Sequence, residues 1–179
     1  MIKLTELKKM IKANNYRPAF YSEGFNSVIF NYSQQIIIEL ENQVNKEKLF
    51  HHLKDIRYTD FDYKFDEFHL DPELKNKLEK LKGSKYDHKY SLLNTSIEFL
   101  KDGFGRNEKI PYQIFKTEKG LLKIKTEIIC LLDQKEIHLK TNEDQTMVFI
   151  YNDFNDCIGV CMCEKFELNE LTEYTNWGS

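Results

Sequence analysis

Glycine (7) and proline (3) are scarce in this chain, so glycine-built ligand cradles and long irregular loops are few. Arginine is nearly absent: Arg17, Arg57 and Arg106 are the three, and with them goes the preferred fork for phosphate and guanine. No apolar run approaches the roughly 18–20 residues that a spanning helix needs. The start, "MIKLTELKKMIKANN", lacks a continuous apolar h-region and does not read as a signal peptide. Together these features predict a reducing, cytoplasmic setting in which a disulfide framework is not expected. "GFGRN" (103–107) has two glycines but neither the G-x-G-x-x-G nor the Walker spacing, and no G-x-S-x-G elbow occurs. The five histidines (His51, His52, His69, His88, His138) include no i, i+4 pair of the zincin kind.

The four cysteines are Cys130, Cys157, Cys161 and Cys163, three of them inside "CIGVCMC". Read as a strand, this stretch puts Cys157, Gly159, Cys161 and Cys163 on one face. Neighbours at i, i+2 stand about 6.5–7 Å apart, too far for a disulfide without breaking the strand. Structural zinc asks for four converging ligands, usually from knuckles on turns, whereas this run is apolar and β-branched. Core filling is the expectation for these cysteines and for Cys130 in "EIICLL". No cofactor is implied.

What is present is a globular composition, with 41% hydrophobic and 31% charged residues over 179 positions. That suits one compact domain over 1–179, with 103–109 as the place where two subdomains would part. Helical spacing covers 4–13, 45–56, 71–83 and 89–101. The third of these is the clearest, with Asp71 as N-cap, Pro72 in the first position and Gly83 as the stop. Strand signals are "AFYSE" (19–23), "SVIFNY" (27–32) and "QIIIELE" (35–41), and an alternating acidic stretch follows at 58–71. After "GFGRN" the period is two throughout: "IPYQIF", "LLKIKTEIICLL", "EIHLKT", "TMVFIY" and "CIGVCMC", separated by short turn-rich breaks. The predicted class is α+β: N-terminal helices with a small antiparallel meander, then a C-terminal antiparallel sheet of about five strands packed by helices.

The net charge of −3 conceals an asymmetry. Residues 141–179 hold eight acids against Lys165, and 60–73 hold six acids against Lys64. Candidate partner-binding residues are therefore Asp60, Asp62, Asp66, Glu67, Asp71, Glu73, Asp144, Asp153, Asp156, Glu164 and Glu167. A lysine-rich helix follows, and Lys75, Lys77, Lys82 and Lys85 are the alternative, nucleic-acid-binding set. Asp60 and Asp62 could also share a strand face around a divalent metal, and Asp133-x-Lys135 carries a nuclease-like carboxylate and lysine two apart.

These patterns favour a non-enzymatic intracellular protein-binding module over a nucleic-acid-binding module or a metal-dependent nuclease. The expected partner is a protein with a basic surface, such as a nucleic-acid-handling effector. In its length, its Lys/Asn/Ile/Phe-rich composition and its lack of motifs, the chain resembles small inhibitors encoded by phages and mobile elements, anti-CRISPR proteins among them. It also resembles bacterial toxin-immunity proteins. The resemblance is one of composition and transfers no residues.

Overall fold

The structure is a computed structural model and describes residues 3, 5–7, 9, 19–23, 27–32, 35–39, 57–58, 61–62, 73–83, 88–103 and 109–170. Residues 5–7 and 9 are helical. The meander is β1 (Ala19–Glu23), β2 (Ser27–Tyr32) and β3 (Ile36–Glu39), and β4 (Arg57–Tyr58) with β5 (Phe61–Asp62) forms a short ladder. Helix α1 (Glu73–Lys82) leads to β6 (Tyr90–Ser91), β7 (Leu93–Asp102), β8 (Lys109–Thr117) and β9 (Gly120–Lys125). A short helix α2 (Thr126–Leu131) then precedes β10 (Ile137–Thr141), β11 (Met147–Asn152), β12 (Cys157–Met162) and β13 (Glu164–Phe166).

Two antiparallel sheets carry the fold, in the orders β1-β2-β3-β12-β11-β10-β6 and β13-β9-β8-β7. Their facing sides share one core: Ile36, Ile38, Leu139, Val148, Ile150 and Cys161 from the first sheet meet Phe115, Leu122 and Ile124 from the second. Helix α2 adds Ile128, Ile129 and Leu131 to it. The other side of the first sheet buries Ile37, Phe149, Tyr151 and Val160 under Leu78 of α1. This explains why β11 reads as an unbroken apolar run: alternate residues fill two different cores. A buried polar bond also links the sheets, from the Gln145 side-chain amide to Thr117 Oγ1 at 2.8 Å.

The α1 pattern holds where it is described. Glu73 lies in its first turn and Lys80 and Lys82 in its last, each on the favourable side of the helix dipole. Gly83 N–H then closes on the Glu79 carbonyl at 2.8 Å. Among the described residues no helix is long and apolar enough to cross a membrane.

Four expectations are corrected. Residues 89–101, expected to be helical, instead contribute strand β6 and most of strand β7. The apolar residues behind that expectation, Leu93, Ile97 and Leu100, are exposed, so they are not a buried helical stripe. The run 121–132 is not one strand: it breaks at Lys125 into α2, which buries Ile128, Ile129 and Leu131 and leaves Cys130 exposed. The N-terminal meander does not stand apart from the C-terminal strands, because β3 pairs with β12. Finally, a bulge between Ile150 and Tyr151 pairs Gly159 with Ile150 but Cys157 with Tyr151. Ile158 is the extra residue, and Cys157 therefore lies on the α1 side of the sheet, opposite Cys161 and Cys163. The expected helix at 45–56 lies outside the described residues, as does most of the acidic stretch at 58–71.

Candidate functional site

The sequence-predicted acids do not form one surface. Asp60, Asp66, Glu67 and Asp71 lie outside the described residues, and Asp62 is described only as part of β5. Glu73 is exposed and pairs with Lys77 at 3.8 Å. Asp144 sits in the β10–β11 turn and Asp153 and Asp156 in the β11–β12 turn. These turns lie at opposite ends of a six-residue strand, about 20 Å apart. Part of the acidic excess is also answered internally. Glu143 pairs with Lys119 and accepts from the Tyr90 hydroxyl at 2.6 Å, while Glu167 is exposed at the end of β13.

Glu164 is the most engaged of the set. Its carboxylate accepts from Lys101 Nζ at 2.9 Å and from the Tyr112 hydroxyl at 3.1 Å, and Lys123 lies 3.6 Å away. Lys123 also pairs with Glu170. Burial alone would raise the Glu164 carboxyl, but the hydrogen bond and charge of Lys101, with Tyr112 and Lys123, hold it below its ordinary 4.5. Glu170 behaves alike: Lys123 and the Glu167 N–H overcome its burial and lower it. Burial, then the charge and hydrogen bond of Glu164, push the Tyr112 phenol up to about 12.

The sign of the pH effect follows. A carboxyl held lower in the folded chain than in the unfolded one stabilises the fold above the unfolded value, and that contribution is lost as pH falls below 4.5 and through the lowered folded value. Lowering the pH from 5.5 to 3 should therefore move the urea midpoint downward. A Glu164→Gln/Glu170→Gln variant should show a shallower decline over the same range. Parallel curves for the two proteins would show that neither carboxyl contributes.

The lysine set is largely committed. Lys82 pairs with Glu39 at 2.8 Å and with Glu79 at 3.2 Å. Burial would lower its ammonium, but the Glu39 contact outweighs that and raises it. Lys77 faces Glu73, Lys75 is half-buried, and Lys85 lies outside the described residues. Asp133 accepts from the Lys135 backbone N–H at 3.3 Å, which makes that pair a turn. Among the described residues, no group of three His, Cys, Asp or Glu is placed to hold a metal. His88 stacks on Phe149 with centroids 3.5 Å apart and bonds the Tyr151 hydroxyl. Of the cysteines, Cys161 is buried and its thiol is raised by burial and by Cys163. Burial and Glu164 push the Cys163 thiol to about 12.

The most conspicuous surface feature lies in "NDFND" (152–156), which the sequence marks only as a turn. Phe154 at its tip is 87% exposed. The turn holds its own shape: Asn152 Oδ1 accepts from the backbone N–H of Phe154 at 3.0 Å and of Asp156 at 2.9 Å. The Asn155 N–H reaches the Asn152 carbonyl at 2.9 Å, and the Asn152 N–H reaches the Asp156 carbonyl at 3.0 Å. Asn155 takes a φ of 63°, which asparagine tolerates better than most residues. Lys140 Nζ, held 4.4 Å from the Tyr151 ring centroid, clamps the Asn155 side chain at 3.2 Å. Asp153 and Asp156 flank Phe154 in sequence, both exposed, and neither has an ion pair among the described residues. A self-bonded turn therefore presents an exposed aromatic residue and two exposed carboxylates.

No protein-family model matches the sequence, and neither curated proteins nor solved structures give a significant match.

Proposed function

We propose that this chain is a non-enzymatic protein-binding module, an inhibitor that docks on the basic surface of a nucleic-acid-handling partner through the β11–β12 turn. The observation that carries this reading is Phe154, 87% exposed on a turn braced by its own hydrogen bonds. Leaving a large ring in water brings nothing to the fold, whereas a pre-ordered aromatic is the usual centre of an interface hot spot and loses little entropy on binding. Asp153 and Asp156 supply the sign of the partner: carboxylates beside an apolar anchor suit an apolar pocket rimmed by lysine or arginine, and such charges mainly set encounter rate and specificity. Intracellular action against a defence effector, or as a toxin-immunity protein, follows from the compositional resemblance and stands as part of the proposal.

The test compares tagged wild-type chain with Phe154→Ala and with Asp153→Lys/Asp156→Lys as baits in lysate with and without nuclease treatment. The captured protein is then titrated by calorimetry at two salt concentrations. The expected result is one partner held by the wild type, with affinity falling roughly 30- to 1,000-fold on Phe154→Ala, the range of a hot-spot aromatic. Thermal stability should be unchanged within about 0.5 kcal/mol, as for exposed positions generally. Equal affinity for wild type and Phe154→Ala would sink the proposal. Capture that disappears with nuclease would move the function to the lysine helix.

A further inference from the structure

A cleft of about 500 Å³ opens where the chain crosses from the first sheet to the second, between the end of β12 and the start of β13. That volume suits a drug-sized molecule. Its walls include Ile110, Ile128, Met162 and the Tyr112 ring, with Gln35 and Lys125 among the polar groups.

The charges on its lining are nearly all spoken for. Lys101 is bonded to Glu164, Lys123 to Glu170 and Glu164, and Asp102 to Lys109. Lys125 remains. It is half-buried, directly opposite Tyr112 in the β8–β9 ladder, and pairs with no carboxylate among the described residues. At the other wall, Gln35 is tied down through its backbone carbonyl, which accepts from the Met162 N–H at 2.8 Å. Its side-chain oxygen is buried without a hydrogen-bond partner among the described residues, a state that carries a desolvation cost until a donor arrives. An apolar cavity with one ammonium and one acceptor left unpartnered among the described residues is a recognition pattern of few, convergent polar groups.

We propose that this cleft binds a small organic anion with an apolar body, its carboxylate or sulfonate on Lys125 and a donor group facing Gln35. This site is separate from the β11–β12 turn and does not rest on the protein-binding reading. Met162 is a built-in reporter, 58% exposed on the cleft wall.

The experiment uses chain labelled at the methionine methyl groups with ¹³C, titrated with 2-naphthoate, 2-naphthylmethylammonium and 2-naphthylmethanol. Ring currents from bound naphthalene should shift the Met162 methyl saturably for naphthoate. Binding of naphthoate should exceed that of the ammonium analogue at least tenfold and of the alcohol severalfold. Lys125→Met should weaken naphthoate about tenfold, while Lys125→Arg should retain it, each variant first checked for an unchanged melting temperature. If Lys125→Met does not fold, Lys125→Arg and the ligand series still decide the matter. No shift at Met162, equal binding of all three probes, or unchanged affinity in Lys125→Met would each overturn the proposal.

Discussion

Gly159→Ala is expected to lower stability by about 3 kcal/mol, at or above the upper end of what overpacking a core costs. A Cβ at this position would lie 2.7 Å from the Ile37 carbonyl oxygen, 2.8 Å from Ile38 Cγ1 and 2.9 Å from Ile38 Cβ. None of these is the free end of a flexible side chain. The carbonyl belongs to β3, paired to β12 through Gly159 and Ile38, and Ile38 is 1% exposed. On the other side β12 is paired to β11, so β12 cannot move away without disturbing a central ladder. The gain of about 0.4–1 kcal/mol from a stiffer unfolded chain offsets a small part of the cost. In a protein of this size the loss corresponds to a fall in Tm of roughly 6–12 °C. A melting temperature within 2 °C of wild type would mean that β3 yields easily and that the strand pairing is looser than its geometry implies.

Strand periodicity is a good guide over five of the runs. The runs at 19–23, 27–32, 137–141, 147–152 and 157–162 are strands, and 73–82 is the helix its pattern announces. The misreading at 89–101 has a physical cause. A period-3.6 argument assumes that apolar residues mark the buried side, but Leu93, Ile97 and Leu100 face solvent on the edge strand β7. A bulge between Asn94 and Glu98 also disrupts the alternation that would have revealed the strand, with Ser96 at a φ of 60°. The break at Lys125 was hidden for a different reason: "TEIICL" is apolar enough to serve as either a buried strand or a buried turn of helix, and periodicity cannot choose between them.

The candidate sites divide in the same way. Asp153 and Asp156 are candidates on charge alone, and both lie near Phe154 in the same turn. Phe154 gives no such signal, because an isolated aromatic within a turn looks like punctuation; only its exposure and the bracing from Asn152 give it meaning. Lys123 was illegible for the opposite reason. In sequence it is one lysine among many, and nothing local says that Glu164 and Glu170, 41 and 47 positions further on, will reach it.

Lys123→Ala is expected to cost about 4 kcal/mol and Lys123→Met about 2, by the reasoning that breaking a buried ion pair costs several kcal/mol and a cavity adds to it. The Lys123 side chain is only 4% exposed and pairs with Glu170, at 28% exposure, and with Glu164, at 45%. Its ammonium stands 5.4 Å from the Phe99 centroid, 5.8 Å from Tyr112 and 5.7 Å from Phe166, so three rings provide part of the solvation that water no longer supplies. Alanine removes the charge and also the stem on which those rings pack. Methionine keeps the volume and can lie against aromatic edges, leaving the charge as the main loss. That loss is smaller than for a fully enclosed pair, because Glu164 retains Lys101 and Glu170 can rehydrate. The order of the two variants in urea unfolding at pH 7 therefore separates packing from charge. A methionine variant as stable as wild type would show that the ammonium only balances its own desolvation, as buried pairs often do. A methionine variant as unstable as the alanine would place the whole effect in the two abandoned carboxylates. Replacing Glu164 and Glu170 by glutamine in that background should then restore most of the loss.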